Sequence, residues 1–162
     1  MEDKPVVMVQ VAEPEWTGRV LHAACRLGRS CGAEIALVYL LRVPHLRYLG
    51  SSLGYADISE EDMHSLQAYA DTAEDYGLPC SLTLYQYCDL YAAIVDAADL
   101  VDADIVFAKL PKSAIPFWSD CQFEMLRVRL SHRHVELFNE PGIWGKPLPT
   151  AAAEPRFADV HA

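Results

Sequence analysis

The chain has no apolar run as long as the roughly 18 to 20 residues that span a lipid bilayer, so membrane insertion is not expected. Its first residues, Met1 to Pro5, include two acidic side chains and lack the basic stretch and apolar segment of a signal peptide. These two absences predict a cytoplasmic location.

Basic side chains are also scarce. Thirteen lysines and arginines stand against 23 aspartates and glutamates, a formal net charge of −10. A field of that sign repels nucleic acid and anionic lipid, so neither is an expected partner. A small anionic ligand stays compatible with it, because helix dipoles act locally at a pocket.

Motifs of cysteine, metal and hydrolase chemistry are missing as well. The five cysteines form no C-x-x-C and no His/Cys pair at zinc spacing, which predicts reduced thiols rather than a disulfide framework or metal site. H-E-x-x-H and G-x-S-x-G are absent, and the histidines at 22, 45, 64 and 161 are isolated. We therefore predict no catalytic residue, no metal and no cofactor.

Short apolar runs that alternate with segments of helical periodicity make up most of the chain. Strands are predicted at residues 6–11, 34–41, 80–87, 104–108 and 135–138. Helices are predicted at 17–30, after a capping box at Ser59, after an N-cap at Asp89, and near 122–130. This order predicts an α/β domain over residues 1–138, with a five-stranded parallel sheet and helices on both faces. Residues 139–162, rich in proline and alanine, are predicted to be a tail or arm.

Ligands of parallel sheets bind beyond the carboxyl ends of the strands, where the strand order reverses. This rule directs attention to Ala12-Glu13, to Leu41-Arg42 and to the loop after Ala108. In that loop Lys109, Lys112 and Ser113 could bind a phosphate through their side chains, or could simply be solvated.

Two further clusters have alternative interpretations. His132-Arg133-His134, with Arg127 and Arg129, could bind an anion, but it is also typical of cations that offset the dipole at a helix C-terminus. Phe117-Trp118, beside Pro116, could form a lid or an interface patch, or could belong to the core.

Three segments carry a family resemblance. They are Val11-Ala12-Glu13 at the end of the first strand, Gly32-Ala33-Glu34 leading into the second, and the fourth-strand segment Ala103 to Phe107. Over about residues 5 to 138 this layout resembles the universal stress protein family. The resemblance implies that family's fold, which is also adenine nucleotide alpha hydrolase-like.

The resemblance fails at the phosphate-binding motif. ATP-binding members carry G-x-x-G-x(9)-G-[ST] after the fourth strand, and the same register here gives Ala108, Pro111, Cys121 and Gln122. Glycine lets backbone N–H groups approach phosphate, whereas proline has no N–H group. The resemblance therefore implies a degenerate site without ATP binding, although Glu13 and Leu40 stay compatible with an adenosine-like ligand.

The resulting hypothesis is a non-enzymatic protein with a stress-response or regulatory role. The resemblance implies a homodimer through the last strand, Val135 to Phe138. One alternative is an accessory subunit or adaptor that docks onto a larger complex through the tail, which contains Trp144 and Phe157. Another is an enzyme of the wider nucleotide-binding α/β superfamily.

Overall fold

The computed structural model describes residues 4–51 and 58–139 of the chain. Strands and helices alternate along these residues, as the sequence predicts. The strands are β1 (Val6–Val11), β2 (Glu34–Arg42), β3 (Cys80–Tyr87), β4 (Ile105–Phe107) and β5 (Glu136–Phe138). The α-helices are α1 (Pro14–Cys31), α2 (Glu60–Asp75), α3 (Leu90–Leu100) and α4 (Pro116–Ser131), and a 3-10 turn spans Leu46–Tyr48.

The five strands form one parallel sheet in the order β3-β2-β1-β4-β5. Strand β1 pairs with β2 on one side and with β4 on the other, so the strand order reverses beside it. Because all strands run the same way, their carboxyl ends meet at one edge. The predicted five-stranded parallel sheet is confirmed.

Two apolar cores cover the two faces of the sheet. Alternate residues of β1 divide between them, since Val7 and Val9 pack with α1 and α2 while Met8 packs with α3 and α4. Trp16 is a large buried side chain of the first core, and Leu126 is one of the second. Helices therefore lie on both faces, as predicted.

Helix starts are encoded locally at two positions. The Ser59 hydroxyl accepts a hydrogen bond from the Asp62 N–H (3.0 Å), and the Asp62 carboxylate accepts one from the Ser59 N–H (3.2 Å). The Asp89 carboxylate accepts a hydrogen bond from the Tyr91 N–H (2.9 Å) at the start of α3. Both predicted caps are confirmed, and each satisfies backbone donors that the helix itself leaves open.

Two helices begin earlier than predicted, and each begins at a proline. Helix α1 starts at Pro14 rather than at Thr17. Helix α4 starts at Pro116, so the predicted start near Gln122 is wrong. Proline fits the first turn of a helix because the N–H it lacks would have no helical partner there. As a result, Cys121 and Gln122 lie inside α4 and not in the preceding loop.

Within the two described ranges, none of the helices combines the length and the hydropathy needed to cross a bilayer. The predicted tail comprises residues 139–162, and all of it after residue 139 lies outside the described residues. The division of the chain at residue 138 therefore stays a prediction.

Candidate functional site

A cleft of about 860 Å³ opens at the carboxyl edge of the sheet, where the strand order reverses. The ends of β1, β2 and β3, the start of α3 and the loop after β4 all contribute to it. Its lining residues are Ala12, Glu13, Arg42, Tyr87, Cys88, Leu90, Lys109, Leu110, Pro111 and Lys112. The topology rule for parallel sheets thus locates the candidate site.

Four of the seven predicted site residues line this cleft: Ala12, Glu13, Lys109 and Lys112. Ala108 is fully buried at the end of β4. Leu40 is half-buried and packs against the core beneath α3 and α4, and it does not line the cleft. Ser113 also lies outside the lining and takes part in the internal bonding of the loop.

Glu13 and Lys109 form an ion pair across the cleft. Glu13 is also the residue that precedes the first turn of α1, and its carboxylate makes no capping bond to that helix. The hydrogen bond from the Lys109 ammonium lowers the pKa of Glu13 below its ordinary value of 4.5. In this arrangement the lysine occupies one acceptor that a ligand hydroxyl would otherwise use.

The backbone of the loop after β4 is held by a buried amide. The N–H of Lys109 donates a hydrogen bond to the side-chain oxygen of Gln10 on β1, at 2.9 Å. Gln10 is one of the few polar side chains buried in the described core. The N–H that follows Ala108 is consequently directed into the protein.

Other N–H groups of the loop are also bound internally. The Ser113 N–H donates to the Ser119 hydroxyl (2.7 Å), and the Ile115 N–H donates to the Ser113 hydroxyl (3.2 Å). The N–H of Ala108 donates to the Phe138 carbonyl at the end of β5 (3.0 Å). Pro111 has no N–H to offer. These N–H groups therefore bond to acceptors within the protein and do not point into the cleft.

The cleft is locally basic in an acidic chain. Among its described lining residues, Arg42, Lys109 and Lys112 are accompanied by a single carboxylate, that of Glu13. The Glu13 carboxylate is paired with Lys109, so it does not neutralise Arg42 or Lys112, which also line the cleft. An anion entering it would be held by side-chain cations rather than by backbone amides.

Two lining residues, Tyr87 at the end of β3 and Cys88 after it, were not assigned to the site by sequence reasoning. Arg42 and Tyr87 are register partners at the ends of β2 and β3, although 45 positions separate them in the chain. Next to them, buried Gln86 accepts a hydrogen bond from the Gly50 N–H (2.7 Å) and donates one to the Ser51 carbonyl (2.8 Å). The sheet order could have indicated these residues, because the carboxyl ends of all the parallel strands meet at one edge of the sheet.

The two clusters with alternative interpretations lie away from the cleft lining. Arg133 forms an ion pair with Asp99 (2.9 Å), and Arg127 forms one with Glu124 within α4 (2.8 Å). Phe117 and Trp118 are exposed in the first turn of α4 and do not line the cleft. Neither cluster contributes to this site in the described structure.

Comparison with known proteins gives no match to a family model and none to a curated protein sequence. Solved structures do match. A universal stress protein family member from Burkholderia pseudomallei is 16% identical, with a TM-score of 0.59, 82% of this chain covered and 92% of that one. The chain has the universal stress protein fold.

Two further solved structures of the universal stress protein fold carry a nucleotide. The protein from Archaeoglobus fulgidus in complex with dAMP is 17% identical, with a TM-score of 0.53 and coverage of 85% of this chain and 98% of that one. The Arabidopsis thaliana protein with AMP bound is 14% identical, with a TM-score of 0.53 and coverage of 84% and 90%. At these identities the likeness establishes the architecture.

Within the universal stress protein fold, the last two motif positions of this chain lie in the second turn of α4. Gln122 accepts a hydrogen bond from the Tyr91 hydroxyl (2.6 Å), which joins α4 to α3. Cys121 is exposed on the same helix. Both residues are part of a continuous helix and thus do not present free N–H groups at a helix start.

Proposed function

We propose that this chain is a non-enzymatic, regulatory protein of the universal stress type that has lost ATP binding through the loop after β4. The observation that carries the proposal is the internal use of the loop's backbone donors. The N–H of Lys109 is bound to Gln10, and that of Ser113 is bound to Ser119. A phosphate would have to displace these partners before it could be held.

The size of the effect supports the loss of function. A hydrogen bond to a charged group contributes about 1.5 to 3 kcal/mol, so the absence of two weakens phosphate binding by roughly two to four decades. Proline at position 111 removes one more donor. Micromolar ATP binding would fall to the millimolar range or weaker.

The side chains of the cleft also support a non-enzymatic role. Its carboxylate, Glu13, is neutralised by Lys109 and cannot act as a free base. Its thiol, Cys88, donates a hydrogen bond to the carbonyl of Val43 (3.6 Å). Among the described lining residues, the Cys88 thiol is bonded to that carbonyl and not to a general base.

A second candidate function is the binding of a small, adenosine-like ligand that carries a negative charge. The observation that favours it is the placement of Arg42 and Lys112 beside Tyr87 in one cleft. An aromatic ring and two cations can contact a base and an anionic group together. This function requires no backbone cradle.

Thermal unfolding with ATP, AMP or adenosine tests both candidates. We expect millimolar ATP to stabilise the protein by less than about 0.5 kcal/mol, and any gain with AMP should disappear in the double variant Arg42→Gln, Lys112→Gln. The dAMP-binding protein from Archaeoglobus fulgidus serves as a positive control. Stabilisation by ATP of about 2.7 kcal/mol, which corresponds to a hundredfold excess over Kd, contradicts the proposal.

The remaining alternatives are separated by two measurements. Release of phosphate or of a nucleoside in the same samples would favour an enzyme. Native mass spectrometry of the protein purified from its source would favour the adaptor alternative if large subunits accompany the chain. A chain that releases neither phosphate nor a nucleoside, and that large subunits do not accompany, fits the proposed regulatory role.

A further inference from the structure

Two cations of the cleft, Arg42 and Lys112, form no ion pair with a carboxylate in residues 4–51 and 58–139. Asp89, at the start of α3, does not neutralise them. Its carboxylate accepts hydrogen bonds from the N–H groups of Tyr91 (2.9 Å) and Ala92 (3.1 Å) and is thereby directed to its own helix. Uncompensated positive charge in a chain of net charge −10 indicates a site that attracts a small anion.

Several polar groups that would recognise a sugar or a base are already engaged inside the protein. The Glu13 carboxylate is paired with Lys109. The Cys88 thiol donates to the Val43 carbonyl (3.6 Å), and the Tyr87 carbonyl accepts from the Val43 N–H (2.8 Å). A ligand rich in hydroxyl or amide groups would leave some of them without a partner in this cleft. Each buried polar group without a partner lowers the affinity by about five- to a hundredfold.

The rest of the cleft wall is largely apolar. Ala12 follows β1, Leu90 begins α3, and Leu110 and Pro111 belong to the loop after β4. Leu110 is buried and Leu90 is half-buried, so both are fixed by the fold rather than free in solvent. Tyr87 completes the lining at the end of β3. A cleft of about 860 Å³ with such walls has room for an apolar body of one or two rings.

We propose that the cleft binds an organic acid with an apolar body of one or two rings, whose carboxylate is held by Arg42 and Lys112. A guanidinium group matches the planar geometry of a carboxylate, and the ammonium group adds a second charge-assisted hydrogen bond. Burial of the apolar body against the cleft wall adds a hydrophobic contribution to binding. The proposal goes beyond the proposed function, because it names a ligand that is not a nucleotide.

The body of the ligand, and not its charge, separates this class from nucleotides. A nucleoside monophosphate carries an anionic group too, so Arg42 and Lys112 attract both. An apolar ring gains from contact with Leu90, whereas a ribose hydroxyl finds the Glu13 carboxylate occupied by Lys109. We therefore expect the acid to bind at least about fivefold more tightly than AMP. This comparison distinguishes the proposal from the second candidate function.

Titration of the full chain with 3-(2-naphthyl)propionate, followed by amide NMR, tests the proposal. A ligand of about 15 non-hydrogen atoms at ordinary ligand efficiency predicts a Kd of about 1 mM or below. The matching amide, 3-(2-naphthyl)propionamide, has the same body without the charge. We expect it to bind at least about tenfold more weakly, because it makes no charge-assisted hydrogen bond to either cation.

Variants of the cleft test the two halves of the ligand separately. The double variant Arg42→Gln, Lys112→Gln should weaken binding of the acid at least about tenfold. Its matched control is Arg29→Gln, Arg129→Gln, which removes two exposed cations outside the cleft lining and changes the net charge equally.

Leu90→Ala should weaken binding of the acid by about three- to tenfold through loss of apolar contact. Leu100→Ala is its control, since Leu100 is 60% exposed on the same helix and does not line the cleft. The amide spectra of all variants verify that each is folded.

Four results would each overturn the proposal. They are no binding at about 10 mM acid, equal binding of the acid and its amide, a Kd that the Arg42→Gln, Lys112→Gln variant leaves unchanged, and tighter binding of AMP than of the acid. The last result would favour the second candidate function. Stabilisation by ATP bears on the loss of ATP binding alone, so the two proposals can fail separately.

Discussion

The side-chain oxygen of Gln10 lies 2.9 Å from the backbone nitrogen of Lys109 and accepts its hydrogen. One residue of β1 thereby fixes the first residue of the loop that follows β4. The same residue, Lys109, uses its ammonium group to pair with Glu13. Gln10 of β1 therefore binds the backbone of Lys109, and Glu13, two residues after β1, binds its ammonium group.

Replacing Gln10 with leucine should destabilise the protein. The buried N–H of Lys109 would lose its acceptor, at a cost of about 1 to 3 kcal/mol of unfolding free energy. Gln67→Leu is the matched control, because Gln67 bonds to Asp71 on the exposed side of α2 and its loss should cost less than about 0.5 kcal/mol. Urea denaturation measures both. Equal effects of the two substitutions would contradict the role given to Gln10.

Replacing Lys109 with methionine should raise the pKa of Glu13 toward its ordinary value of 4.5. The lowered pKa means that the folded state favours the carboxylate, so the stabilising effect is present above pH 4.5 and is lost as the pH falls through the folded pKa. The pair is partly exposed to solvent, which keeps the effect on stability small. Carboxyl-carbon NMR titration measures the shift, and Lys112→Met should leave the Glu13 titration unchanged.

Sequence patterns located the strands better than the helix starts. Apolar runs such as Val6–Val11 are buried along their whole length, so composition alone identifies them. The sequence predicts helix starts at Thr17 and near Gln122, whereas the two helices begin earlier, at Pro14 and Pro116. A proline can interrupt the chain before a helix or be the first residue of that helix. A proline permits both outcomes, and the packing of the residues that follow it decides between them.

The candidate site was predictable where it depended on topology and not where it depended on side-chain partners. Glu13 and Lys109 follow β1 and β4, so the convergence of strand ends predicts that they meet. The acceptor role of Gln10 was hidden, because a polar residue inside an apolar run gives no signal of its partner 99 positions away. The hydrogen bond from the Ser113 N–H to the Ser119 hydroxyl depends on where α4 begins, and the sequence pattern predicts that start too late in the chain.

The five cysteines should differ strongly in reactivity. Burial raises the pKa of Cys25 to about 11, with a smaller contribution from the nearby thiol of Cys80, and burial also raises that of Cys80 to about 11. At pH 8 about one molecule in a thousand would carry either thiolate, whereas Cys31 and Cys121 are exposed. A disulfide exchange reagent should therefore modify Cys31 and Cys121 first. Peptide mapping at short times identifies the sites, and rapid labelling of Cys25 in the native state would contradict the structure.

The turn after α4 should become more stable when its left-handed residue is glycine. His134 has φ = 63°, a conformation that costs a residue with a β-carbon about 1 kcal/mol. His134→Gly removes that strain and adds some entropy to the unfolded chain, so we expect a net gain of about 0.5 kcal/mol.

His132→Gly is the control for this substitution, since the two variants have the same composition. His132 has φ = −62° and ψ = −18°, a right-handed helical conformation. Glycine there gains nothing from relief of strain and should destabilise the protein by about 1 kcal/mol. Urea denaturation of both variants gives the two free energies. If both substitutions changed stability in the same direction, the loss of a histidine side chain, and not the backbone of residue 134, would be the cause.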